Sequence, residues 1–429
     1  MTDLYEPFSN VRRFELLARL EGATVDSVDD LETLRHALRP TASAPLVKLD
    51  ALRAIVTDDP EDADRIMKRI VPALLHHAWA LVASGTPSLL QLSRGRPGRV
   101  VLPRSVLPAW LAHILLGTLA PPSRAHPRCD AAMLWATTQP SSLAKLRCIL
   151  DIYDAVGTGS LPGRMTVERT GVNLRTAGQW LREAAPLTPV TVDSRGLIED
   201  AAGHLQVDFA NKYLGGGVLG RGCVQEEIRF SVSPECLVAM LVAPVMEPNE
   251  ALTLHGVERF SQTDGYALSL AYVGRFTEPA ARLADGTPDV SLTAIDAVDY
   301  RQRDAAGQYT PDAMLRELEK ARAGFRRDAR LLPVATGNWG AGAFGGDAAL
   351  KAVLQWLAAS SQGRAMRYFT FGEARVAGLG PFVSAARGRF GTVAALWHRL
   401  LEVAPALDAD APLFRMILAP PAPAAPPVA

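Results

Sequence analysis

Two glycine-rich stretches and a pair of adjacent carboxylates are the parts of this sequence whose residue types could do chemistry. The first stretch is Asp208-Phe209-Ala210-Asn211-Lys212-Tyr213-Leu214-Gly215-Gly216-Gly217, behind an apolar, strand-like run. Three glycines let a backbone approach a ligand closely and point N–H groups at it. A short spacer later comes Gln225-Glu226-Glu227. Glycoside cleavage needs a carboxylic acid to protonate the leaving oxygen as an oxocarbenium-like sugar forms. Adjacent helical residues point about 100° apart, so Glu226 and Glu227 cannot flank one sugar from opposite faces. They need different jobs, one as acid/base and one as ribose ligand. Taken alone, an acidic pair at a helix start is also what the helix dipole favours on a solvated surface.

The second stretch is Ala335-Thr336-Gly337-Asn338-Trp339-Gly340-Ala341-Gly342-Ala343-Phe344-Gly345-Gly346-Asp347. A strand precedes it and a helix follows, the order in which free N–H groups and a positive helix end meet a phosphate. It lacks the GK[ST] ending of a P-loop, but Gly340-x-Gly342-x-x-Gly345 fits the dinucleotide pattern, with Glu373 placed as a ribose-binding acid would be. ADP-ribose and nicotinamide dinucleotides share the pyrophosphate, so this loop does not separate a hydrolase from an oxidoreductase.

Other candidates carry less. The histidines show no metal spacing, and His76-His77 falls in an apolar helix. Cys223 lies near Glu227 without a histidine to activate it, which favours a buried small residue over a nucleophile. Arg12-Arg13 and Arg326-Arg327 are too short for a nucleic-acid patch. Tyr266, Phe344 and Phe371 flank the glycine-rich regions, where core packing competes with adenine stacking.

These residues need elements to hold them. The chain has 429 residues, enough for two or three domains, and equal numbers of Lys+Arg and Asp+Glu, 45 each, give no basic field for nucleic acid. Cys129, Cys148, Cys223 and Cys236 form no CxxC pair and read as reduced core thiols. The start shows no signal-peptide pattern, and the apolar stretches 71–84 and 106–120 are too short to span a bilayer. Residues 62–84, 104–119 and 142–156 have helical periodicity, with Pro72 expected to kink the first. After residue 186 short apolar runs alternate with helices. Strands are expected at 190–193, 205–209, 252–255, 267–273, 292–297, 331–335 and 366–371. Helices are expected at 225–230, 234–242, 312–325, 347–360 and 393–403. That alternation implies an α/β domain with its sheet covered on both faces.

Together these motifs resemble the macrodomain-type poly(ADP-ribose) glycohydrolases, whose mark is GGG, a short spacer and QEE. The runs 205–211 and 335–347, and Tyr368-Phe369-Thr370-Phe371-Gly372, are similar to the family as well. The likeness reaches upstream into 101–119 and 145–168, parts of the family's helical accessory domain. The resemblance implies an α/β fold, a macrodomain-like mixed sheet flanked by helices in three layers, after an all-helical accessory domain. The expected divisions are 1–185, 186–410 and a disordered Ala/Pro-rich tail at 411–429.

The activity implied is hydrolysis of ribose–ribose bonds in poly(ADP-ribose). Glu227 matches the catalytic glutamate and Glu226 the neighbour that holds the reacting ribose. Asp208 and Asn211 match residues supporting the pair, Gln225 completes the motif, and Gly216 and Gly217 line the catalytic loop. Ile198 and Glu199 match the adenine end, Glu199 meeting its amino group. Asn338 and Gly340, Ala341, Gly342, Ala343 and Phe344 match the diphosphate loop. Tyr266 and Phe371 match aromatics around the adenine and its phosphates. Thr263 and Ala341 depart from the family's frequent tyrosine and cysteine.

The implied partners are poly(ADP-ribose), poly-ADP-ribosylated proteins and the product ADP-ribose, with no cofactor and no metal. No direct nucleic-acid binding and no membrane association are expected, and the chain is expected to be a monomer. A cytoplasmic location is expected, with the nucleus open. A binding-only macrodomain would not need the acidic pair. A nicotinamide-dependent oxidoreductase would carry its glycine fingerprint at the start of the fold rather than late.

Overall fold

The computed structural model describes residues 3–40, 46–301, 305–408 and 410–420. Its strands are β1 (Leu4–Tyr5), β2 (Leu89–Leu90), β3 (Gly98–Pro103), β4 (Arg164–Gly171), β5 (Val190–Asp193), β6 (Leu205–Ala210), β7 (Glu250–His255), β8 (Ser261–Asp264), β9 (Ala271–Arg275), β10 (Ser291–Asp296), β11 (Val334–Thr336) and β12 (Met366–Phe369). The chain forms two compact units. One is Met1–Gly171 with Asp208–Asp296, and the other Val172–Val207 with Ala297–Ala429. The chain therefore passes between units three times, whereas the texture of the sequence suggested one division near residue 186. β6 passes from the second unit into the first at Asp208 and ends at Ala210.

In the first unit the strand order is β3-β4-β7-β10, with the end of β6 next. β3, β4, β7 and β10 pair antiparallel, with Val167 opposite Leu254 and Leu292 opposite Leu254 on its other side. β7 and β10 are buried almost throughout, because helices cover them, and so read as continuous apolar runs. Helices dominate up to residue 156. Among them are Val71–Ala83, Leu107–Leu116 and Pro140–Val156. Leu111, Ile149, Val167, Phe230, Leu237 and Leu292 belong to one continuous apolar core.

The N-terminal region is helical, but not wholly. β3 and β4 fall inside it, and their alternating burial and charged residues give only a weak strand signal. The kink expected at Pro72 takes a definite form. A π-turn, Ile66–Ile70, intervenes, and the Val71 N–H reaches back to the Ile66 carbonyl one turn before the proline that cannot donate.

The second unit holds the start of β6 followed by β11, β12 and β5, all parallel, with Val334 between Leu205 and Met366. Its long helices are Pro311–Gly324, Ala348–Ser361, Leu379–Phe390 and Val393–Val403. The expected strand at 267–273 is a 3-10 turn, Ala267–Ser269, followed by β9 in the first unit. Part of the expected tail is ordered as the helix Leu413–Leu418, whose Leu413 and Ile417 are buried; residues 421–429 lie outside the described residues. None of the described helices is long and apolar enough to cross a membrane.

Candidate active site

The first unit gathers the acidic candidates. β6 is apolar enough to be buried and carries Asp208 with it, fully enclosed. The chain leaves β6 at Asn211, turns through the glycines and enters the helix Gln225–Val232, which presents Glu226 and Glu227 in its first turn. Every residue of the motif is tied back to the strand or the loop. The Gln225 side-chain oxygen accepts from the Phe209 N–H at 2.7 Å. Glu226 accepts from the N–H groups of Asn211 at 2.8 Å and Gly215 at 2.6 Å. Glu227 accepts from those of Gly217 and Val224, both at 2.8 Å. The last bond is the backward half of a capping box, which satisfies an orphan donor at the helix start.

These bonds change the meaning of the glycines. The sequence reading aimed their N–H groups at a ligand. In the structure Gly215 and Gly217 donate to the two glutamates, and the Gly216 N–H goes to the Tyr213 carbonyl at 3.2 Å. What glycine supplies is closeness. Gly216 has φ +50°, and a Cβ there would lie 2.5 Å from a Glu227 oxygen and 2.7 Å from a Glu226 oxygen. A Cβ at Gly222 would lie 2.7 Å from Glu227. The two carboxylates thus close around Gly216 with no space for a side chain.

Three acids are buried here together: Asp208, Glu226 and Glu227. Burial pushes the Asp208 carboxyl well above the usual carboxylate range, the Arg229 guanidinium pulls it back, and the Glu227 charge adds to the rise. Burial, then Asp208 and Glu227, also raise Glu226, against the two backbone bonds that favour its charged form. Neither Asp208 oxygen has a hydrogen-bond partner among the described residues, nor do the Arg229 side-chain nitrogens. The sequence reading did not single out Arg229. Its signal is a charged residue inside Ile228-Arg229-Phe230, where an apolar face would be expected.

Tyr266 stands beside this cluster, half exposed, its phenol raised by burial, lowered by a bond to the Gln225 backbone and raised again by Glu227. Thr263 lies in β8 opposite Tyr272 of β9. Cys223 is a buried free thiol, raised by burial and lowered by Lys145.

The second unit gathers the other candidates. Gly337 must be glycine, since a Cβ would meet the Phe369 carbonyl at 2.6 Å and the Phe371 ring at 2.7 Å. The Asn338 side chain is engaged at both ends, donating to the Thr370 carbonyl and accepting from the Tyr368 hydroxyl, each at 2.9 Å. It shapes the loop rather than offering a free amide. Beyond it the chain turns tightly, with the Ala341 N–H on Asn338 and the Gly346 N–H on Gly340. Among the described residues, the N–H groups of Gly342, Ala343 and Phe344 have no acceptor. Gly342 and Ala343 are exposed and Phe344 is half-buried. Asp347 then caps the helix Ala348–Ser361 through the Leu350 N–H at 2.8 Å. Free amides before a helix N-terminus make a place for an anion.

Phe371 is exposed, stacks on Phe369 with centroids 6.2 Å apart, and sits at φ +49°, an uncommon backbone state for a bulky residue. Ile198 is buried in a 3-10 turn, and the half-buried Glu199 next to it accepts from Gln206 through its carbonyl at 3.2 Å. Glu373, the acid on which a dinucleotide-dependent oxidoreductase would rely, caps its own 3-10 turn and pairs with Arg375 at 3.1 Å.

Comparison with known proteins gives one consistent answer. The family model described as "Poly (ADP-ribose) glycohydrolase (PARG), Macro domain fold" matches residues 177–378. Poly(ADP-ribose) glycohydrolase 1 of Arabidopsis thaliana is 29% identical over 487 aligned residues, covering 90% of this chain and 88% of that protein. Probable poly(ADP-ribose) glycohydrolase 2 of the same plant is 31% identical, covering 60% of this chain and 59% of its own. Poly(ADP-ribose) glycohydrolase 1 of Caenorhabditis elegans is 34% identical, covering 54% of this chain and 32% of that protein.

Proposed function

We propose that the chain is a member of the poly(ADP-ribose) glycohydrolase family, whose model matches residues 177–378, and that it hydrolyses the ribose–ribose O-glycosidic bonds of poly(ADP-ribose) with Glu227 as its one general acid/base. The observation that carries the reading is the grip on Glu227. Two backbone N–H groups hold its oxygens, and two glycines leave room beside them. A carboxyl group keeps further lone-pair positions after accepting two such bonds, so it can still carry and pass a proton.

The steps follow from ordinary acid/base chemistry. Protonated Glu227 gives its proton to the leaving ribose oxygen as the C1–O bond breaks, and an oxocarbenium-like ribose forms. Glu227, now a carboxylate, takes a proton from water as the water oxygen bonds to C1. The acid is restored, and one ADP-ribose leaves per bond cleaved. Glu226 holds the reacting ribose. Asp208 and Asn211 support the pair, Asn211 through its backbone N–H on Glu226. Gly216 and Gly217 line the loop, and Gln225 locks the helix start to β6. In the second unit, the amides of Gly342, Ala343 and Phe344 take a diphosphate, with Asn338, Gly340 and Ala341 shaping their loop. Ile198, Glu199 and Phe371 meet an adenine, and Tyr266 in the first unit meets ligand beside the acids. The same proposal divides the chain into a helical accessory region, 1–185, and a macrodomain, 186–410. It takes poly-ADP-ribosylated proteins as substrates and a monomer as the working form.

Digestion of labelled polymer by wild type and Glu227→Gln, with products resolved by chain length, tests it. Wild type should release ADP-ribose. The variant should lose on the order of 10³-fold or more in turnover, since general acid/base groups contribute about 10²–10⁴-fold, while ADP-ribose affinity stays within a few-fold. Polymer bound but left intact by wild type would leave a binding-only macrodomain. Full turnover in the variant would remove Glu227 from the chemistry.

A further inference from the structure

Lys145 is fully buried in the middle of the helix Pro140–Val156. Its amine donates to the carbonyls of Val218 at 3.1 Å, Gly220 at 2.8 Å and Gly222. These three carbonyls belong to the short segment between the glycines and the acidic pair. That segment ends in the two N–H groups, of Gly217 and Val224, that hold Glu227. Its Gly222 backbone also packs so close to Glu227 that a Cβ would not fit. An ammonium has three N–H donors, and here each faces one carbonyl. A neutral amine has two donors and a lone pair, which would face the third oxygen.

We propose that Lys145 is a positioning residue for the hydrolysis: its ammonium fixes the 218–222 segment in the shape that aims the Gly217 and Val224 amides at Glu227. The inference rests on the hydrolase reading above. Lys145 itself touches neither the reacting bond nor the glutamate, and acts through backbone.

Two titratable groups act on the amine, the Cys223 thiol in the segment and the Glu227 carboxylate at the start of the next helix, and both favour its charged form. Asp151, farther along the same helix, is bound to Arg65, Ser261 and Tyr272. Burial outweighs the favourable fields and brings the amine down to about 8. The sign of the linkage is useful. Between pH 8 and the unfolded value near 10.4 the unfolded chain binds the extra proton, so this group makes the fold more stable as pH rises. A loss of turnover in that range is therefore not loss of the fold through this residue.

The test uses the full chain and labelled polymer, first at pH 7. Absence of turnover by wild type there would sink the hydrolase reading, and with it the ground for this one. Given turnover, kcat for wild type should fall along a basic limb near pH 8 while ADP-ribose affinity and thermal midpoint hold. A kcat that stays flat to pH 9.5 would overturn the inference and leave the hydrolase reading intact. Lys145→Met should lower kcat roughly tenfold or more, with KM within a few-fold, and abolish that limb. Hydrogen exchange at the Gly217 and Val224 amides should quicken in the variant. Wild-type kcat with unchanged exchange would also overturn it. Should Lys145→Met fail to fold, the wild-type profile decides alone.

Discussion

The two glycine loops look alike in sequence and do opposite things with their backbone. In the first unit the amides of Gly215, Gly216 and Gly217 are all bonded to protein, two of them to carboxylates of the same site. In the second unit the amides of Gly342, Ala343 and Phe344 have no acceptor among the described residues. The first loop is a holder for the protein's own anions, and its glycines exist for closeness. The second, its amides turned to no protein acceptor among the described residues, is where we propose that a ligand's diphosphate sits. A glycine run thus reports that backbone must come near something, and only its neighbours say what. Where a pair of glutamates follows within one turn of helix, the loop serves them. Where a capped helix of ordinary composition follows, the amides stay open, and on our proposal a ligand takes them.

That contrast is most exposed at Gly216. A methyl group there must displace oxygens of both Glu226 and Glu227, and φ +50° is strained for alanine in any case. Gly216→Ala should therefore lower kcat on polymer by about 10²-fold, the cost of misplacing a catalytic group by roughly 1 Å. ADP-ribose affinity, measured by calorimetry, should fall much less. Equal losses in kcat and affinity would mean that this loop too contacts ligand mainly through its backbone, and the contrast would fail.

Gly342 gives the reverse case. A Cβ there meets nothing within 4 Å and the backbone is not strained. Gly342→Ala should leave the thermal midpoint of the free protein unchanged. A ligand diphosphate seated on the neighbouring amides would meet the new methyl group. ADP-ribose binding should weaken on the order of tenfold, about 1.4 kcal/mol. Unaltered affinity would take the anion away from this loop.

How much of this could be read in advance differs between the loops. The order of strand, loop and helix was legible around residues 334–361 because β11 is short and apolar and Asp347 is an ordinary cap. The existence of the acidic site was legible in GGG and QEE. The destination of its amides was not, because a hydrogen bond from Gly217 to Glu227 has no periodicity or composition that marks it. Arg229 and Lys145 escaped for a related reason. Each lies one turn after polar residues, Glu226 before Arg229 and Ser141 and Ser142 before Lys145, and sequence cannot distinguish a buried partner of backbone or acid from a solvated surface residue. The same limit applied to β3 and β4. Their charged residues obscured strands that tertiary pairing holds in place.

A pH dependence separates the units by the sign of a slope rather than by its size. Asp208 keeps its proton in the fold at a pH where the unfolded chain, near 3.9, has lost it. The unfolded state then binds fewer protons, so Asp208 makes the fold less stable as pH rises from about 4 toward its folded value. Asparagine does not titrate. The difference in unfolding free energy between Asp208→Asn and wild type should move in the variant's favour with pH, by up to about 1.4 kcal/mol per pH unit. Asp193 in the second unit is the opposite case. The Arg195 amide, the Arg367 guanidinium and the Gly196 amide hold its carboxyl below the usual range. Its contribution is present above pH 4 and disappears as pH falls through the folded value, so Asp193→Asn should cost stability at neutral pH and little in acid. Urea unfolding of both variants at pH 3, 5 and 7 reads the two slopes. Parallel slopes would mean that Asp208 is ionised in the fold, with Arg229 neutralising it, and the first unit would then hold its acids as charged groups, much as the second holds Asp193.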